Sequence, residues 1–148
     1  MATIKSFGVK FQIDDPAGSG SFTSVAALQS IGDWSMSGET QDVTTHNAAL
    51  VSGGQFRERV VTLLDAGTIP LTVLFDPSDG THNHTTDGLI AMFVAKQARA
   101  CRVVFPSSPE VTWSFTGLVT NVGVNAGNVD DVLSMSATVQ LSGAVTFA

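Results

Sequence analysis

The chain has 148 residues, a single cysteine and a formal net charge of -6, and 43% of its residues are apolar. That length suits one domain with a sizeable core, one cysteine excludes an intrachain disulfide framework, and no run reaches the roughly 18 apolar residues of a spanning helix, so a soluble chain is expected. Charged residues amount to only 14%, against about 25% in ordinary soluble domains, which fits either a surface that becomes interface in an assembly or simply a Ser/Thr-rich β protein.

Met1 to Ser6 shows no secretory signal, so synthesis and residence in the cytoplasm are expected. From Ile4 to Ile13 the residues Phe7, Val9, Phe11 and Ile13 alternate with polar neighbours, which predicts a strand buried on one face. Asp14 to Ser21 strings turn formers together and reads as a loop or arm hinge; no helix and no lysine follow to make a phosphate cradle. Phe22 to Ile31 predicts a short strand pair with Val25, Leu28 and Ile31 as core contacts. From Trp34 to Val43 a further strand is expected, polar on both faces in its second half, an arrangement that must meet water or a polar partner.

Asn47 to Gly67 has no clear period and reads as a long loop. Its Phe56, Val60, Val61, Leu63 and Leu64 are too apolar for solvent, so the segment is expected to order against a neighbouring subunit. Thr68 to Asp76 predicts a strand with Ile69, Leu71, Val73 and Phe75 inward, at a sheet edge because Pro70 has no N–H for a ladder. After the turn at Asp76 to Thr81, a helix capped by Thr86 or Asp87 is expected to run to about Ala98, with Leu89, Met92, Phe93 and Lys96 at helical spacing. Cys101, beside Val103 and Val104, reads as a buried thiol in a strand. Val111 to Val124 predicts a long strand with Gly117 as the bulge where its apolar face switches. Leu133, Met135, Ala137, Val139 and Leu141 form the inward face of a last strand. The fold class is therefore mainly β: a single-domain antiparallel β-sandwich or barrel with one packed α-helix.

No constellation for catalysis appears. His82-Asn83-His84, with Asp79 and Asp87, is the nearest approach to a metal motif and reads as a solvated turn. Asp14/Asp15 and Asp130/Asp131 stand in turns without a base beside them. No enzyme, metal or cofactor is expected. All Lys and Arg lie at Lys5, Lys10, Arg57, Arg59, Lys96, Arg99 and Arg102, so residues 11–56 and 103–148 hold no cation, and surfaces built from them repel phosphate.

The stretch Asp33 to Asp76, with Glu39-Thr-Gln-Asp42-Val-Thr-Thr-His46 and then Thr68-Ile-Pro-Leu-Thr-Val-Leu-Phe75-Asp76, resembles the major tail tube protein of long-tailed, lambda-like bacteriophages. Arg102 to Pro106, Val111 to Gly117 and Val129 to Gly143 fit the same family in the same order. Ser19 to Ser30 and His82 to His84 match nothing in it. The resemblance implies one tail-tube domain over 1–148, with an N-terminal arm (about 1–20), a long inter-ring loop (about 46–67) and a C-terminal tail (about 143–148). It implies hexameric rings stacked into a tube, partners that include a tape-measure protein, a tail terminator and tail tip proteins, and DNA passing through the lumen without specific binding. The place of such a protein is the virion tail, reached from the host cytoplasm. Candidate lumen or rim acids are Glu39, Asp42, Asp130 and Asp131; candidate inter-ring contacts are Phe56, Arg57, Glu58, Arg59, Val60, Leu63 and Leu64. Two other readings stand beside it: a monomeric β-barrel carrier or sugar-binding module, with its apolar face around a pocket, and the tube subunit of a contractile injection system.

Overall fold

A computed structural model describes residues 3–44, 56–85 and 88–147. In chain order the elements are β1 (Lys10–Ile13), β2 (Thr23–Ser24), β3 (Leu28–Ile31), β4 (Ser37–Asp42), β5 (Arg59–Asp65), β6 (Thr68–Leu74), α1 (Leu89–Ala95), β7 (Arg99–Phe105), β8 (Val111–Asn125) and β9 (Ser134–Phe147). Seven strands form one antiparallel sheet in the order β2-β1-β7-β8-β9-β6-β3, and β4 and β5 pair only with each other.

The two edge strands of that sheet, β2 and β3, are consecutive in the chain. Only residues 25–27 join them, a span of no more than about 14 Å when fully extended. The sheet must therefore curl until its edges nearly meet, and one core fills the inside. Phe11, Val25, Ile69, Leu71, Leu89, Met92, Phe115, Met135 and Val139 belong to that single cluster. Alternation puts them there: in β9 Met135, Ala137, Val139 and Leu141 are buried while Ser136 and Ser142 face out, and in β6 Ile69, Leu71 and Val73 do the same. The inward faces of β6 and β9 are thus as expected.

The seam is closed by groups from the loop after β6. His82 is fully buried; its Nδ1 accepts the Asp76 N–H at 3.2 Å, so its Nε2 carries the proton and donates to the Ala26 carbonyl at 2.6 Å. Ala26 in turn donates its N–H to the Thr81 hydroxyl at 3.0 Å, and Leu74 donates to the Ala27 carbonyl. His82 is therefore a structural histidine inside the seam, a correction to the solvated turn expected from its polar neighbours. Asp87 lies outside the described residues.

Other boundaries also move. The first strand starts at Lys10 rather than Ile4, because Gly8 turns the chain (φ 97°) and Phe7 is left 91% exposed. The helix is shorter than predicted, starting after Gly88 with no side-chain cap and ended by Lys96 in the left-handed region; Thr86 and Asp87, the expected caps, lie outside the described residues. Pro70 is not on an edge strand, since β6 lies between β3 and β9. It is tolerated because β3 ends at Ile31: the Pro70 carbonyl accepts the Gly32 N–H at 2.7 Å, and the missing donor faces the same side, just past the ladder. The register of β8 slips between Ser114 and Thr116 and between Val119 and Asn121, not at Gly117; Gly117 faces the core, where a Cβ would stand 2.7 Å from Val139 Cγ1. The expected tail at 143–148 is strand through Phe147, whose ring meets Trp113 edge-on at 4.9 Å.

Candidate assembly surface

The segment read as a loop to Gly67 becomes a strand from Arg59 to Asp65, paired with Ser37–Asp42. Its alternation is hidden in the sequence because neither face is buried: every residue of β4 and of β5 is exposed. A two-stranded ribbon of this kind is marginal by itself, so its base is fixed to the domain. Trp34 donates its indole N–H to the Ala66 carbonyl at 2.8 Å and packs edge-on against Trp113 and Phe115, with ring centroids 5.5 and 5.3 Å apart. Gly67, with φ 81°, makes the turn from β5 into β6, and its carbonyl accepts the Leu141 N–H at 3.0 Å. Beyond that base the ribbon stands clear of the seven-stranded sheet.

What it presents to solvent is apolar on both faces. The β5 register shifts between Val61 and Leu64, so these two share the face of Gly38, where a Cβ would meet both, while Val60, across from Gln41, lies on the other; Leu64 is 82% exposed and Phe56 71%. A free monomer gains nothing from such a surface, and unpaired strand edges with apolar faces are templates for another chain.

The predicted residues fall into two groups. Glu39, Asp42, Phe56, Arg57, Glu58, Arg59, Val60, Leu63 and Leu64 are all brought together on or next to this one hairpin, although the acids and the apolar residues carried separate expectations. Arg57 pairs with Asp42 at 3.3 Å, both side chains well exposed, so the pair adds little stability. Asp42 is held below the usual carboxylate range, first by the Thr44 hydroxyl, then by the Thr44 N–H and the arginines. Val43 and Thr44 continue the pairing, with the Val43 N–H on the Glu58 carbonyl and the Glu58 N–H on the Thr44 hydroxyl. Asp130 and Asp131 lie elsewhere, in the exposed turn between β8 and β9. Residues 45–55 of the expected inter-ring loop are outside the described residues.

Chemistry is sparse. No group of His, Cys, Asp and Glu suited to a metal ion occurs among the described residues. Cys101 is fully buried and its thiol is pushed up to about 12 by desolvation, so it is no nucleophile. The interior that a carrier would hollow out is filled by Met135, Val139 and their neighbours; a groove of about 370 Å³ lies outside it, between α1 and β8, beside Met92, Phe93, Leu118 and Thr120. Sequence reasoning missed Trp34 as the anchor of the hairpin and His82 as the latch of the seam; an isolated Trp after Gly-Asp was the one available signal for the first.

No protein-family model and no curated protein sequence matches the chain. Solved structures do. The chain is similar to one from the tail of an empty gene transfer agent particle refined with C6 helical symmetry, at 22% identity and TM-score 0.75, over 99% of both chains. It is similar to a chain of the SPP1 tail tube at 12% identity and TM-score 0.68, over 95% of this chain and 77% of that one. A chain of an extracellular contractile injection system, in its sheath and tube terminator structure, aligns at 11% identity and TM-score 0.69 over 100% and 98%. A curled seven-stranded sheet with one helix and a projecting hairpin is thus the tail tube fold, shared by phage-type tails and contractile injection systems.

Proposed function

We propose that this chain is a structural subunit that polymerises into the tube of a phage-type tail, as stacked hexameric rings around a tape-measure protein, closed by a terminator and joined to tip proteins. The observation that carries the reading is the β4–β5 hairpin: a ribbon anchored at its base, with apolar side chains on both faces that no other described residue covers, on the tail tube fold. A subunit whose neighbours cover that ribbon needs few surface charges, in keeping with the low charged fraction. The cation-free stretches supply small, neutral or negative strand faces, past which DNA moves with little adhesion. Glu39 and Asp42 serve on such a wall or at its rim, and Phe56, Val60, Leu63 and Leu64 contact the next ring. The role needs no catalysis and no cofactor, and its place is the virion tail after synthesis in the host. A tube of a contractile injection system uses the same fold and differs in acquiring a sheath.

Negative-stain electron microscopy of the purified chain tests this. Wild-type protein at high concentration is expected to form hollow tubes or rings, and Leu63→Glu with Leu64→Glu to stay small with an unchanged circular dichroism spectrum, because both side chains are solvent-exposed in the monomer. Tubes formed equally well by the double variant would remove the hairpin from assembly. A wild type that stays monomeric at every concentration would overturn the tube reading.

A further inference from the structure

β8 runs on past its neighbour β7, whose pairing with it stops at Arg99 opposite Gly117. Beyond that point α1 stands beside Leu118, Val119 and Thr120, and a groove separates helix from strand. Its helix wall is apolar and uncovered: Val94 is 66% exposed and Phe93 43%. Lys96 is the one charged residue that lines it, and Lys96 forms no ion pair among the described residues, where Arg57 with Asp42 is the one such pair. Gln97 reaches across to the Pro16 carbonyl, but the acids of that loop are bonded within it: Asp14 accepts the Asp15 and Gly20 N–H groups, and Asp15 the Ser19 N–H and hydroxyl.

The turn between β8 and β9 has the complementary make-up. Val129 is fully exposed and Val132 is 67% exposed, and between them stand Asp130 and Asp131, the only charged residues from 111 to 148. Neither forms an ion pair among the described residues; Asp131 accepts the Asn128 N–H at 2.8 Å. This turn cannot fold back on its own groove, because Asn125 lies about 17 Å beyond Thr120 along the same paired strand.

We infer that the α1–β8 groove of one copy receives the β8–β9 turn of another, with Val129 and Val132 against Phe93 and Val94 and with Lys96 facing Asp130 and Asp131. The inference rests on the tube reading and names one of its contacts between copies. Charge selects the turn from the other uncovered apolar stretches. Ile4 and Phe7 of the N-terminal segment flank Lys5, which would meet Lys96 with like sign. The β4–β5 hairpin mixes Glu39, Asp42 and Glu58 with Arg57 and Arg59, and Phe147 ends a strand that holds no charge. Only the turn joins exposed apolar side chains to acids alone. Groove and turn are different surfaces of one chain, so the contact is heterologous and each copy can both give and receive, as a ring or a stack of rings requires. Asp130 and Asp131 then belong to a contact between copies rather than to the wall of the channel.

Charge exchange and cross-linking test it. Lys96→Glu and Asp130→Lys, both at exposed positions, are each expected to raise the protein concentration needed for rings or tubes at least about tenfold, the equivalent of about 1.4 kcal/mol, and their combination to restore it. The buried Cys101 stays silent, so Val94→Cys with Val129→Cys, oxidised during assembly, is expected to give a ladder of trimers, tetramers and longer species on a non-reducing gel, and each single variant nothing beyond dimers. Wild-type tubes with no rescue by the exchanged charges, or a double-cysteine variant that stops at dimers, would overturn the pairing and leave the tube reading standing. A ladder from Ile4→Cys with Val94→Cys in its place would give the groove to the N-terminal segment. A wild type that stays monomeric at every concentration overturns both the tube reading and the pairing.

Discussion

Arg99 is an exception to the pairing that buried charges ordinarily require. It is 95% buried by its 5% exposure, and its Nε and Nη1 find no hydrogen-bond partner among the described residues, although a guanidinium stays charged at any ordinary pH. An unpaired buried charge costs more than well-packed hydrocarbon of similar size. Arg99→Met is therefore expected to raise the unfolding free energy of the isolated subunit by about 1–3 kcal/mol, read from urea denaturation. A loss of stability instead would mean that the guanidinium has a partner in solution. Burial of Cys101 was legible from its valine neighbours in the sequence. The burial of Arg99, on the same face of β7, was not, because alternation says which face a residue takes and not whether its charge will find a partner there.

The β4–β5 hairpin shows the same limit for an element. Strand periodicity is a record of one buried face, and a ribbon with no buried face leaves no record, so Arg59–Asp65 reads as loop while Thr68–Leu74 reads as strand. Its position depends on Gly67, whose φ of 81° suits glycine and whose missing Cβ would collide with the Ser35 carbonyl. Gly67→Ala is expected to cost about 2 kcal/mol or more, with the lowered melting temperature accompanied by a changed fluorescence of Trp34, whose indole is bonded at the neighbouring Ala66. Unchanged fluorescence with lost stability would place the strain elsewhere than at the hairpin base.

For the whole molecule, acid sets a limit on stability. Asp15, Asp76 and Asp79 are held below the ordinary carboxylate value of 3.8, chiefly by the hydroxyls of Ser19, Ser78 and Thr81, and Asp42 by that of Thr44. Folding lowers these values, so the unfolded chain binds protons first as pH falls. Their contribution is complete above the unfolded value and is lost as pH drops through the lower folded ones. The melting temperature is expected to be flat with respect to these groups above about pH 5 and to fall below 3.8, and Asp79→Asn to reduce that slope, because the Asp79 loop holds Thr81 and His82 at the seam. A slope identical to wild type would detach the seam from the carboxylate.

By itself the sequence determined the elements that have one wet and one dry face: the alternation of β6 and β9, the apolar odd positions of β8 up to Val119, the buried thiol of β7 and the existence of one helix. Those are local patterns, and each is written within a few residues. Tertiary structure decided what depends on residues far apart in the chain: that β2 and β3, separated by three residues, lie at the two edges of a sheet and force it to curl; that His82 latches the seam; and that the apolar hairpin leaves the sheet beside Thr68, at the end of β6 away from the β8–β9 turn. Register and closure are fixed by pairing energies between distant segments, and those pairings have no counterpart in the spacing of neighbouring residues.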